Sequence, residues 1–203
     1  MHLERPPPPH WLDSPRNVTL LVLLQGAVFF GIGIAVWYAS GRAPSDFLRW
    51  EAKDLIVGAA LGAALVGSMQ AIASAFPRFV PWAAEQQRRL FPGGRRYRPA
   101  DILLISAAAG IGEEALFRGG LQTFMADHLP PSIAICMASL LFVLMHLGSP
   151  GVSAFIFVYS LAFGLAYHQT GSLVGVMLAH AAFDIWALAL VQRELSRRGM
   201  LKA

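Results

Sequence analysis

The sequence predicts an all-α polytopic transmembrane helix bundle with about six spans and a polar site inside the bundle. Three observations predict it. The 203 residues are 56% hydrophobic and only 14% charged, against roughly 25% charged in a soluble domain, and the mean hydropathy is +0.53. Six apolar segments reach or approach the roughly 20 residues that a helix needs to cross the hydrocarbon core. A handful of ionisable residues interrupts three of those segments, at helical spacings.

Taken in order, residues 1–17 form a polar tail containing the proline run Pro6–Pro9, too polar and too rich in proline for a cleavable signal. Residues 18–99 carry two apolar segments, 18–40 and 54–76, and a basic loop. Residues 100–191 carry four more, 100–124, 132–147, 152–168 and 172–191, and 192–203 form a basic tail. GRAP, FPRFVP, HLPP, GSPG and QTGS separate the segments, and each is a helix-ending signal. Cys136 is the single cysteine, so no intrachain disulfide exists.

With six crossings, twelve Lys and Arg residues lie on the side of both termini and three (Arg42, Arg49 and Lys53) on the other. The positive-inside rule then puts both termini in the cytoplasm. The stretch EQQRRLFPGGRRYR (85–98) reads as a solvated, topology-setting loop, with an interfacial helix or anionic-lipid contact as the sharper alternative. This use of the basic residues accounts for the pI near 9.7 without nucleic acid.

The ionisable residues inside the spans are Glu113, Glu114, Arg118, His146, His180 and Asp184. A charge at the centre of a span costs roughly 2.5–3.5 kcal/mol, and such residues face the bundle interior and mark function. Glu114 and Arg118, four apart, fall about 40° from alignment and can pair, whereas Glu113 lies about 140° from Arg118 and points elsewhere. Phe142 places a ring one turn before His146, and Asp184 one turn after His180 can orient that imidazole. A glutamate with two histidines can polarise water and act as a general base, with a second polar pair stabilising an oxyanion. The same donors, Glu113, His146, His180 and Asp184, are also those of a zinc or other divalent-metal site.

Together EEALFR (113–118), FVLMH (142–146) and HAAFD (180–184) resemble the EExxxR, FxxxH and HxxxN/D motifs of the CPBP family of intramembrane proteases (CAAX protease or ABI domain family). The resemblance covers residues 100–191, with motif order and spacing intact. It implies an intramembrane endopeptidase acting on a membrane-associated protein or peptide, a prenylated CAAX tail among them, in a bacterial inner membrane. By motif position, Glu113 and His146 would activate water, and His180 and Asp184 would stabilise the oxyanion. Glu114, Arg118 and Phe142 would support the site. The third motif departs from the prenyl-protease pattern: Asn there donates from its amide, whereas Asp184 donates only when protonated.

No GxSxG or HExxH occurs, and GIGE (110–113) lacks both the aspartate and the motif order of presenilin-type proteases. Two rival classes use the same polar cluster: a non-catalytic immunity or binding protein, and a proton-coupled transporter.

Overall fold

The computed structural model describes residues 13–146 and 148–202; the Pro6–Pro9 run and Leu147, the last residue of the expected 132–147 segment, lie outside the described residues. The protein is an all-α bundle: α1 (Pro15–Ala39), α2 (Ala52–Ala75), α3 (Phe79–Gln87), α4 (Pro99–Glu114), α5 (Thr123–Ala126), α6 (Pro131–Met145), α7 (Pro150–Thr170) and α8 (Leu173–Arg197). The six expected segments correspond to α1, α2, the α4–α5 helix, α6, α7 and α8.

By length and composition, α1, α2, α7 and α8 can each cross a membrane. They expose rows of large apolar side chains, such as Leu20, Leu24 and Val28 on α1 and Leu55 and Ile56 on α2, as an integral membrane protein does toward lipid. Two elements depart from uniform spans. The α6 helix has 15 residues, about 22 Å at 1.5 Å per residue, shorter than the roughly 30 Å hydrocarbon core. Between α4 and α5 the helix continues without a break as a π segment, Ala115–Gln122. Its wider turns carry Arg118, and π-helical turns are frequent at functional sites.

After α2 the short helix α3 runs to Gln87, into the 85–98 stretch, and 88–98 is built of two tight turns and an isolated β-bridge from Arg95 to Lys202. The chain turns there at positive φ at two glycines (Gly93 +62°, Gly94 +65°).

Lipid provides no hydrophobic drive between helices, so close backbone packing of small residues replaces it. A Cβ built on Gly26 of α1 would meet the Ala108 carbonyl oxygen of α4 at 2.6 Å, and one on Gly112 would meet the Gly26 oxygen at 2.5 Å. Two residues earlier, Gly110 faces the other way: a Cβ there would lie 2.7 Å from the Ala181 nitrogen of α8. The GxG at 110–112 therefore lets α1 and α8 close on opposite sides of α4. Aromatic and aliphatic clusters flank this contact. Phe163, Val176 and Met177 lie on one side and Leu116, Phe117 and Phe142 on the other.

Replacing Gly26 by Ala forces α1 away from a backbone atom and is expected to lower stability by about 1–3 kcal/mol, the usual cost of overpacking. Gly67→Ala, where a Cβ meets nothing within 4 Å, is expected to be neutral or stabilising. Thermal unfolding of the two variants in detergent makes the comparison.

Candidate active site

The site is built outward from Glu114, which is wholly buried at the junction of α4 and the π segment. One carboxylate oxygen, Oε2, accepts from Arg118 Nε at 3.0 Å; the other, Oε1, lies 2.8 Å from His180 Nδ1 on α8. Arg118, also wholly buried, donates from Nη2 to Ser160 Oγ of α7 at 2.7 Å, and its guanidinium carbon sits 5.7 Å from the Phe142 ring centroid. One ion pair thus links four elements. Because a carboxylate only accepts, His180 Nδ1 carries the proton of that bond, which leaves Nε2 turned toward the remaining acids.

His180 is clamped by rings: Phe163 stacks on it at 4.9 Å and 21°, and Phe142 lies tilted at 6.1 Å. Its Nε2 stands 3.8 Å from Glu113 Oε2 and 3.7 Å from Asp184 Oδ2. The sequence reading gave Asp184 the task of orienting the imidazole. In the structure Glu114 holds Nδ1, and Asp184 stands beyond hydrogen-bond reach of Nε2 on the open side.

His146, expected inside the 132–147 segment, stands at the end of its helix. It is the residue that ends α6, with φ −111° and ψ 26°. Its backbone N–H turns to the Val143 oxygen at 2.9 Å, one residue short of the α-helical partner, which frees the Phe142 carbonyl. His146 Nδ1 takes that carbonyl at 2.8 Å, and the ring stacks on Phe142 at 4.4 Å and 20°. A carbonyl oxygen cannot donate, so Nδ1 bears the hydrogen and Nε2 faces the site, 3.6 Å from Glu113 Oε1.

Glu113 therefore lies between two imidazole Nε2 atoms, one to each carboxylate oxygen, and makes no ion pair with Arg118 among the described residues. The separations of 3.6 and 3.8 Å exceed a direct hydrogen bond and suit a bridging small molecule such as water. Glu113 and His180 side chains are 8% and 7% exposed, whereas His146 and Asp184 are 32% and 29% exposed, so the cluster opens on the His146–Asp184 side. Among the described residues no group of three His, Cys, Asp or Glu side chains is arranged to hold a metal ion.

The sequence reading missed Ser160 and Phe163 on α7, and Gln122, whose amide donates to the Gly164 carbonyl at 2.9 Å. A lone serine inside VYSLAF was the available signal, since a buried hydroxyl on an apolar span needs a partner. His128 and His168 lie elsewhere: His128 packs on Phe124, and His168 occupies the last turn of α7.

What this geometry defines is a membrane-embedded helical bundle with a shared carboxylate–imidazole cluster reached from one side. Residues 96–186 match the family model of the Rce1-like type II CAAX prenyl endopeptidases, a span that contains all three motifs and agrees with the resemblance read from the sequence. The match covers just under half of the chain and is a likeness to a family of CAAX prenyl endopeptidases. No curated protein and no solved structure matches the chain.

Ser160→Ala removes the acceptor of a buried arginine and is expected to cost about 1–3 kcal/mol. Arg118→Ala leaves one oxygen of the buried Glu114 without its charged partner, at about 3–5 kcal/mol. Detergent-phase unfolding midpoints in that order, with Arg118→Ala the lower, are the expected result.

Proposed function

We propose that the protein hydrolyses a peptide bond of a membrane-associated substrate, using water activated by Glu113 and His146. The observation that carries this reading is the position of Glu113, whose two oxygens face two histidine Nε2 atoms while its neighbour Glu114 takes the arginine. A water held between Glu113 and His146 loses a proton to the carboxylate as its oxygen bonds to the scissile carbonyl carbon. The carbonyl oxygen becomes an oxyanion, for which His180 Nε2–H, in the imidazolium form, is the donor. When the C–N bond breaks, Glu113 returns its proton to the leaving amine. Asp184 stands beside the imidazolium and contributes to oxyanion binding through it, or directly when protonated. Glu114, Arg118 and Phe142 hold the rings in place.

This reading treats residues 100–191 as the catalytic core and 18–99 as an accessory pair of spans with a basic loop. The tails at 1–17 and 192–203 then flank the bundle with both termini cytoplasmic, consistent with the bias of basic residues toward that side. For the substrate, an apolar groove lined by Phe79, Trp82, Phe155, Tyr159, Phe183 and Trp186 includes the residue before Asp184. Such a surface suits a prenylated tail, and peptides differing only in the prenyl group test that.

Glu113→Gln and His146→Ala are each expected to reduce peptide cleavage by reconstituted protein about 10²–10⁴-fold with helical content unchanged. Full activity in both variants rules out the assignment. Loss of cleavage on chelation with recovery on zinc would instead move these donors to a metal role. Proton-driven flux in liposomes without cleavage would favour the transporter reading, and neither activity would favour a binding or immunity protein.

A further inference from the structure

The start of α1 and the start of α4 meet at a cleft of about 760 Å³ lined by Arg16, Arg95, Arg96 and Arg98, with Ser14, Pro15, Tyr97 and Asp101. We propose that this cleft binds the phosphate headgroup of an anionic phospholipid, whichever reaction the bundle performs.

The charge is lopsided: four arginines face one lining carboxylate, and Asp101 is already engaged by the Arg98 backbone N–H at 3.1 Å. None of the four arginines has an ion pair among the described residues. Two helices present their N-termini here: Ser14 at the start of α1 makes no side-chain cap bond, and at the start of α4 the Asp101 carboxylate takes the Arg98 N–H. Both helix dipoles therefore add to the positive potential.

The four arginine side chains are exposed, and the loop that carries three of them is pinned through its backbone and Tyr97. Gln192 of α8 accepts from Tyr97 N–H at 2.8 Å, and Tyr97 Oη donates to the Leu90 carbonyl at 2.7 Å. Lys202 N–H donates to the Gly94 oxygen at 2.6 Å, and the bridge from Arg95 to Lys202 ties the loop to the C-terminal segment. Exposed guanidinium groups on a pinned loop suit phosphate, to which each can donate in pairs.

The position selects lipid over soluble phosphate. Pro15 opens the 25-residue apolar helix α1, which puts the cleft at the end of a spanning segment, the depth of headgroups. Exposed Leu20, Leu21 and Leu24 on α1, with Leu103 and Leu104 on α4, continue apolar surface from the cleft into the hydrocarbon, where acyl chains would lie.

The test uses delipidated full-length protein in detergent, with phosphatidylglycerol, phosphatidylcholine and inorganic phosphate as separate probes, read by native mass spectrometry. Phosphatidylglycerol is expected to bind in preference to the other two. Its affinity should fall about thirtyfold in Arg95→Ala/Arg96→Ala and about fivefold in Arg16→Ala, which leaves the pinned loop intact. Arg49→Ala, at a distant surface, should bind as the parent does. Equal binding of phosphatidylcholine, undiminished binding by Arg16→Ala, or inorganic phosphate binding as tightly as the lipid would overturn the proposal.

Discussion

The structure depends on the burial of one carboxylate. Glu114 has no water to solvate it, so its two oxygens must be satisfied by protein, and each is satisfied from a different direction. Arg118 closes one side within the same helix, and His180 closes the other from α8. Each partner is then obliged in turn. The guanidinium reaches Ser160 on α7, and the imidazole, held through Nδ1, has only Nε2 left to offer. Desolvation thus fixes three helices and one tautomer together.

Glu113 differs from its neighbour by one position and by everything that follows from it. It shares the desolvated helix junction but not the arginine, and what it meets instead are two Nε2 atoms and an opening to the outside. Satisfying Glu114 fully and leaving Glu113 uncommitted is an arrangement in which one acid stabilises and the next remains available for chemistry. The glycines at 110 and 112 make it attainable, because α8 and α1 come close enough only where α4 presents no side chain. A bulkier pair would keep the helices apart and leave Glu114 without its histidine.

Much of this was legible in the chain. Apolar segment lengths and their Pro/Gly punctuation correspond to the main helices, and the four-residue interval predicted that Glu114 and Arg118 could pair. The same interval places Phe142 against His146. The sequence was less informative where a helix changes character. Regular 100° steps cannot show a π segment, and the exit of His146 from α6 depends on a freed carbonyl rather than on hydropathy.

By itself, then, the sequence determined which ionisable residues fall within apolar segments: Glu113, Glu114, Arg118, His146, His180 and Asp184, with a pattern of basic residues outside them. Those are local properties, set by composition and by the geometry of a single helix. Tertiary structure alone decided the partners. That Glu114 rather than Asp184 holds His180, that Ser160 takes one of the arginine's nitrogens, and that four arginines converge at two helix starts all join residues far apart in the chain. Such contacts arise when helices pack and polar groups excluded from water take the nearest available donor or acceptor, a choice no one-helix pattern encodes.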